Sequence, residues 1–161
     1  MCLDDLEQVH AIDRVSFSVP WPESSFRYEL LENPHSLLLV AEDLANDQTR
    51  QVVGVIVVWL IEDEAHIATL SIHPDYRGQG ISRELLAAAL LESIRQGTVL
   101  ATLEVRANNL IAQALYRKFR FEVAGRRARY YRDNQEDALI MTVVGLDENY
   151  ARWLSSAEGK K

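Results

Sequence analysis

Residues 75–85 read DYRGQGISREL. They follow a strand-like segment, residues 65–72, and run into a helix-like segment, residues 81–95. Glycines allow a backbone to approach a ligand closely, and the first N–H groups of a helix face an anion at its N-terminus. The pattern therefore predicts a strand, a phosphate-binding loop and a helix. A simple strand-to-helix turn that binds no phosphate, in which the glycines only supply positive φ, explains the same sequence equally well.

Three phosphate-binding patterns can be compared with this loop. A Walker A loop needs Gly-Lys-Ser/Thr, whereas residues 80–82 are Gly-Ile-Ser and contain no lysine. A dinucleotide-binding loop needs a third glycine at the position of Arg83. The pattern Arg/Gln-x-x-Gly-x-Gly/Ala is nearly matched by residues 77–82, RGQGIS, with Ser82 in the place of the last small residue. This third pattern predicts a pyrophosphate site to which Arg77 adds charge.

Composition restricts the class of protein. The chain has 161 residues, of which 48% are hydrophobic and 25% charged, and this predicts one globular domain over residues 1–161 with a short tail from about residue 147. No apolar run approaches the ~20 residues of a membrane span. The net charge of −7 argues against a nucleic-acid binder. The single cysteine, Cys2, excludes a disulfide framework and favours a cytoplasmic setting.

Hydrophobic periodicity and turn residues predict the order of the elements. The predicted helices are residues 4–17, 22–33, 81–95 and 109–119, with a short helix near Trp153. The predicted strands are residues 36–42, 51–61, 65–72, 98–106, 121–132 and 137–144. A turn is expected at residues 46–49, and Gly97 is expected to end the third helix. This order predicts a mixed α/β sheet with helices on its faces.

Several separated motifs occur in a fixed order along the chain. They are residues 19–22 (VPWP) with Phe26, 71–80 (SIHPDYRGQG), 103–109 (LEVRANN), 114–116 (ALY) with Phe121, 127–131 (RARYY) and 136–141 (EDALIM). Through these motifs the chain resembles the GNAT acetyltransferase superfamily and, within it, the RimI-like protein N-terminal acetyltransferases. The resemblance implies an α/β (α+β) GNAT fold, with a mixed, mostly antiparallel sheet splayed in the middle and helices on both faces.

The same resemblance implies a reaction. Acetyl-CoA would be the donor, and the acceptor would be a protein N-terminus, namely the N-terminal alanine of a small-subunit ribosomal protein. In a ternary complex the acceptor amine would attack the thioester directly, without an acyl-enzyme. An α-amine with a pKa of about 7.7–8.0 is partly neutral near pH 7, whereas a lysine amine near 10.4 is almost fully charged. An N-terminal substrate is therefore chemically easy. Two alternatives stay open: acetylation of a small-molecule amine or a lysine, and a non-catalytic acetyl-CoA-binding regulatory module.

Glu104 is the candidate proton acceptor. Alternation along the predicted strand directs Leu103 and Val105 to one face and Glu104 to the other, with Arg106. A carboxylate in mid-strand needs water, a cation or a substrate. Spacing alone favours an ion pair with Arg106, while the resemblance implies that Glu104 is the general base.

Tyr116 is the candidate proton donor. A phenol with a pKa near 10 is protonated at neutral pH and can donate to a leaving thiolate. The alternative is a core tyrosine with its hydroxyl at the edge. Asn109 opens the same predicted helix, where it suits the N-cap position, and the resemblance adds a contact with the cofactor.

The resemblance also implies roles for further residues. Backbone groups of Leu70, Ser71 and Ile72 would pair with pantetheine, and the pyrophosphate would be held by Gly78, Gln79, Gly80, Ile81, Ser82 and Arg83. Trp21, Tyr130 and Tyr131 would shape the peptide end of the site, although packing of the final hairpin explains the tyrosines as well. His66 and His73 are interpreted as structural or surface residues, and no metal site is expected.

Two positions depart from the family pattern. Ser82 replaces a glycine or alanine, and Arg120 replaces the glycine that usually precedes Phe121. If Arg120 requires positive φ, it is strained by about 1 kcal/mol. Most relatives begin with a strand, which is expected here to be missing or reduced to the first few residues. Either residues 36–42 then form a more exposed sheet edge, or the given sequence starts too late.

Overall fold

The computed structural model describes residues 1–43 and 50–156. Its helices are α1 (Leu6–Ser16), α2 (Glu23–Leu31), α3 (Ile81–Arg95), α4 (Leu110–Lys118) and α5 (Glu148–Ser155), and its strands are β1 (Ser36–Asp43), β2 (Gln51–Ile61), β3 (Glu64–Ile72), β4 (Leu100–Arg106), β5 (Glu122–Tyr131) and β6 (Glu136–Val144). All predicted helices and strands are present, with ends displaced by a few residues. The turn predicted at residues 46–49 lies outside the described residues.

The strands form one mixed sheet in the order β1-β2-β3-β4-β6-β5. β1 pairs with β2, and β6 with both β4 and β5, in antiparallel fashion, while β3 and β4 are parallel. The mixed, mostly antiparallel sheet of the prediction is therefore confirmed, and β1 is an edge strand as expected. The parallel pairing joins Glu64–Ile67 to Leu100–Leu103, so Glu104 is the first residue of β4 beyond it.

The chain divides into two compact units. The first contains residues 1–59 and 69–89, and the second contains residues 60–68 and the chain from residue 90 onward. Phe26 and Ile56 are buried completely in the first unit, and Leu103, Phe119 and Met141 are at most 1% exposed in the second. Removing such side chains from water is the main favourable contribution to folding.

Local residues explain where the helices begin and end. Pro22 stands at the N-cap of α2 and not at its first helical position as predicted, so the helix begins at Glu23. Gly97 adopts φ 93° beyond the end of α3, as predicted. The Asp147 side chain caps α5 by accepting a hydrogen bond from the backbone N–H of Tyr150.

Arg120 occupies the left-handed region, with φ 62°. Its guanidinium lies 4.1 Å from the centre of the Trp153 ring, and this cation–π contact offsets part of the backbone strain. We expect Arg120→Gly to be more stable than Arg120→Ala by about 1 kcal/mol, because both variants lose the contact and only glycine relieves the strain. Urea denaturation of the two variants measures this difference, and equal stabilities would contradict the strain.

Candidate active site

The glycine loop lies in the first unit and leads directly into α3. Gly78 and Gly80 have φ of 77° and 86°, and the Gly80 carbonyl accepts hydrogen bonds from the N–H groups of Arg83 and Glu84. A Cβ atom on Gly80 would meet no atom within 4 Å. Glycine is therefore needed at this position for its backbone conformation and not for space. The first N–H groups of α3 remain outside the intrahelical ladder and can serve an anion.

The Arg77 side chain fixes the shape of this loop. Its Nε donates to the Ile72 carbonyl and its Nη2 to the Ser16 hydroxyl, both at 3.1 Å. The sequence pattern alone did not indicate these bonds. They join the loop to the end of β3 and to α1, so Arg77 has a structural role within the first unit. Its contribution to pyrophosphate binding, like that of Gln79, Ile81 and Ser82, stays a prediction.

The last residues of β3 precede the loop. Ser71 is 4% exposed, and its hydroxyl has no hydrogen-bond partner among the described residues. The neighbouring Leu70 is half-buried, and His73 extends the strand pairing by donating its N–H to the Val53 carbonyl at 2.9 Å. The role of Leu70, Ser71 and Ile72 in binding pantetheine stays a prediction.

Trp21 lies between α1 and α2 in the first unit. Its backbone N–H donates to Oδ2 of Asp13 at 2.7 Å, and its ring lies 5.0 Å from that of Phe26 and 6.3 Å from that of Trp59. Burial raises the pKa of Asp13, which is completely inaccessible to solvent. The loop that carries Trp21 is therefore held by a buried carboxyl group and by ring packing. A role of Trp21 in binding substrate stays a prediction.

Glu104 lies in the second unit with both carboxylate oxygens in contact with other side chains. Its Oε1 is 3.1 Å from Nη2 of Arg127, and its Oε2 is 3.3 Å from Nε2 of His66. The Glu104 side chain is only 13% exposed. Spacing had favoured an ion pair of Glu104 with Arg106, and that interpretation is wrong.

Arg106 instead binds the acidic residues of the β5–β6 hairpin. Its guanidinium lies 2.8 Å from Asp133 and 3.2 Å from Glu136, and its Cζ atom is 3.9 Å from the centre of the Tyr131 ring. Asp133 and Glu136 are far from Arg106 in sequence, so the pairing depends on the register of β4 with β6, which places Arg106 opposite Ala138. Arg106 therefore stabilises the β5–β6 hairpin, while Glu104 pairs with other side chains.

Tyr116 is buried in α4. Its side chain packs on Phe121 with ring centres 5.9 Å apart, and burial raises the pKa of Tyr116 to about 12. The hydroxyl makes no hydrogen bond within the described part of the chain. Asn109 caps the same helix, because its Oδ1 accepts from the N–H of Ala112 at 3.1 Å. The predicted N-cap is confirmed, and the cofactor contact of Asn109 stays a prediction.

Tyr130 and Tyr131 pack against each other at the end of β5. Their rings meet edge to face with centres 5.2 Å apart. Tyr130 is 43% exposed and lies beside Arg127, whose Cζ is 5.4 Å from the ring centre. Burial raises the pKa of Tyr131 to about 12, although Arg106 opposes this shift. These contacts agree with hairpin packing, and a role of the tyrosines in binding peptide stays a prediction.

His66 is the residue near Glu104 that the sequence interpretation missed. It had been read as structural or surface because it shares no metal-like spacing with other ligands. The parallel register places His66 opposite Thr102, two residues before Glu104. Alternation in the sequence puts all three residues on the less buried face of their strands, but the contact itself depends on the parallel pairing of β3 with β4. Across residues 1–43 and 50–156, no three His, Cys, Asp or Glu side chains are grouped to hold a metal ion.

The mixed sheet and the glycine loop that leads into α3 fit the class of the acetyltransferases. Residues 6–121 match the model of the Acetyltransferase (GNAT) family, and the chain belongs to this family. A Bacillus subtilis (strain 168) protein, provisionally named a [ribosomal protein bS18]-alanine N-acetyltransferase, is 40% identical over 144 residues, which are 89% of this chain and 92% of that protein.

Solved structures agree with this assignment. The crystal structure of the ribosomal-protein-S18-alanine N-acetyltransferase from Escherichia coli is similar, with a TM-score of 0.80 and 29% identity over 91% of each chain. Arabidopsis thaliana NAA60 in complex with acetyl-CoA has a TM-score of 0.79 at 19% identity, over 89% of this chain and 96% of that one. The second likeness concerns the fold alone.

Proposed function

We propose that this GNAT protein transfers the acetyl group of acetyl-CoA to the N-terminal α-amine of a protein, with the N-terminal alanine of a small-subunit ribosomal protein as the acceptor. The likeness to the Bacillus subtilis and Escherichia coli proteins over about nine-tenths of the chain supports this acceptor. None of the described helices is long and apolar enough to cross a membrane. The proposal places the enzyme in the cytoplasm, acting as one domain without a metal.

The observation that carries the proposal is the position of Glu104. A carboxylate with 13% exposure stands at the first residue of β4 beyond its parallel pairing. A carboxylate of low exposure is costly unless it is paired, and Arg127 and His66 pair with Glu104 and hold its two oxygens in place. Glu104 would take a proton from the substrate ammonium, directly or through one water molecule, so that the neutral amine can attack the thioester carbonyl.

Tyr116 would complete the reaction by donating its hydroxyl proton to the leaving thiolate. Its burial keeps the phenol protonated, and the hydroxyl, which makes no hydrogen bond to residues 1–43 or 50–156, is available to a substrate atom. The tetrahedral intermediate loses the second amine proton when it collapses, which restores the phenol. Each turnover therefore converts an ammonium ion and a thioester into an amide, a thiol and one released proton.

The donor would be held mainly by backbone groups. The N–H groups around Gly78 and Gly80, together with the N-terminus of α3, would face the pyrophosphate, and Arg83 would add positive charge. The end of β3 would pair with pantetheine, and Asn109 would contact the cofactor. Trp21 in the first unit and Tyr130 and Tyr131 in the second are each proposed to contact the acceptor peptide.

A peptide panel tests the acceptor class. The protein is incubated with acetyl-CoA and hexapeptides that begin with alanine, serine or methionine, each with a free or a blocked α-amine and with an internal lysine. We expect thiol release with the free alanine peptide and no turnover with blocked peptides, and fragment mass spectrometry should place the acetyl group on the α-nitrogen. Turnover of blocked peptides or of spermidine alone would overturn the proposal, and tight acetyl-CoA binding without turnover would indicate a regulatory module.

Two matched glycine variants test the role of the loop. Gly80 and Gly97 have φ of 86° and 93°, and neither would bring a Cβ within 4 Å of another atom. Gly80→Ala and Gly97→Ala should therefore destabilise the fold equally, by about 1 kcal/mol. We expect only Gly80→Ala to raise the KM for acetyl-CoA, by about tenfold, because hydrogen bonds to a charged pyrophosphate are displaced.

Initial rates at varied acetyl-CoA concentration, together with urea denaturation, separate the two effects. Equal KM values in the two variants would show that the glycine loop does not bind the cofactor.

A further inference from the structure

We propose that His66 is the proton-accepting partner of Glu104 and passes to solvent the proton that each acetyl transfer releases. This inference rests on the proposed function, because it assumes that Glu104 is the general base. His66 acts through Glu104 and is a positioning residue in this scheme, since it need not touch the substrate.

The two strands bring the imidazole to the carboxylate. β3 and β4 run in parallel, with His66 opposite Thr102, and the side chains of His66 and Glu104 project from the same face. The distance of 3.3 Å between His66 Nε2 and Glu104 Oε2 is close to the range over which a proton passes between two groups. The contact joins two adjacent strands of one unit, so it is built into the sheet.

The second partner of Glu104 cannot accept a proton. Arg127 contacts Oε1, and a guanidinium has only donors and stays charged at every working pH. It therefore orients the carboxylate and leaves Oε2 as the oxygen from which a proton can move to a neighbouring side chain. A neutral imidazole has an acceptor nitrogen and exchanges protons readily near neutral pH. Of the two side chains that contact the carboxylate in the described residues, only His66 has this capacity.

The proton balance of the reaction requires a route by which one proton leaves Glu104 in each turnover. The substrate ammonium loses one proton before attack and the attacking nitrogen loses a second when the intermediate collapses. The second proton replaces the one that Tyr116 gave to the thiolate, so the first must leave the protein before the next cycle. Glu104 is 13% exposed and His66 is 22% exposed, so the imidazole is the more accessible of the two groups. His66 accepts this proton at Nε2 from the tautomer that is protonated at Nδ1, which regenerates the carboxylate. The imidazolium then loses one proton to water and returns to the neutral ring.

Substitution of His66 tests the relay in the full chain. We expect His66→Gln and His66→Ala to lower kcat by about tenfold while the KM values for peptide and acetyl-CoA change less than twofold, because proton removal is slowed and binding is not. Added imidazole should restore much of the kcat of His66→Ala by entering the vacated space and accepting the proton. His35→Gln is the matched control, because His35 is exposed in the first unit and should keep the wild-type kcat.

Three results would be decisive. An unchanged kcat in both His66 variants would overturn the inference. A lower kcat that imidazole does not raise, in a variant with wild-type thermal unfolding, would overturn the relay and leave His66 a purely structural role. The proposed function fails separately, when the wild-type protein does not acetylate the free alanine peptide.

Discussion

Glu104→Gln is expected to lower kcat by roughly 10²-fold or more, because the amide has nearly the same size as the carboxylate but cannot accept the ammonium proton. Binding of acetyl-CoA should be unchanged, since the predicted pyrophosphate contacts come from the glycine loop in the first unit. The measurement is the initial rate of thiol release at saturating acetyl-CoA and peptide. Isothermal titration with acetyl-CoA shows whether binding survives.

Thr102→Ser provides the control for this variant. Thr102 lies on the same face of β4, and its hydroxyl is 3.2 Å from that of Thr142. Serine keeps this hydroxyl, so kcat should stay within about twofold of the wild-type value. If Glu104→Gln is as active as Thr102→Ser, the proton acceptor is another group.

Tyr116→Phe is expected to lower kcat by a similar factor, roughly 10²-fold, with little change in stability. The ring keeps its packing against Phe121, and the hydroxyl that is removed makes no hydrogen bond within the described residues. Because burial raises the pKa of Tyr116 to about 12, its phenol stays protonated from neutral pH up to about pH 10. Between pH 7 and about pH 10 the dependence of kcat on pH should therefore have the same shape in the wild-type enzyme and in this variant.

Tyr150→Phe should lower stability and leave kcat unchanged, in contrast to Tyr116→Phe. The Tyr150 hydroxyl donates a buried hydrogen bond of 2.7 Å to the carbonyl of Phe119, which holds α5 against the end of α4. Its removal should reduce the free energy of unfolding by about 1 kcal/mol and leave kcat unchanged. Thermal unfolding and steady-state rates of both tyrosine variants provide the comparison. A Tyr116→Phe variant that loses stability but keeps its rate would identify Tyr116 as a core residue only.

The sequence predicted the parts of this fold that depend on neighbours along the chain. Residues 51–61 are rich in β-branched side chains and form β2 with the predicted bounds. The glycine loop and α3 were placed correctly because glycines at 78 and 80 and the apolar run after them are local signals. The face of Glu104 also followed from alternation alone.

The partners of Glu104 could not be predicted from spacing. Arg106 is two residues from Glu104 and on the same face, yet it binds Asp133 and Glu136, which the β5–β6 hairpin delivers from far along the chain. Arg127 and His66 reach Glu104 from other strands, so their contacts depend on which strands are adjacent and in which register. A single sequence gives periodicity and turns, but it does not give the strand order β3-β4-β6-β5 that creates these pairs.

The central position of β4 in the sheet determines which strand edge is exposed while the protein is being synthesised. β4 lies between β3, which precedes it in the chain, and β6, which follows it and ends at Val144. While the ribosome is still translating residues 107–144, β4 can pair on one side only. A nascent chain that stalls in this interval exposes the edge of β4 that β6 covers later.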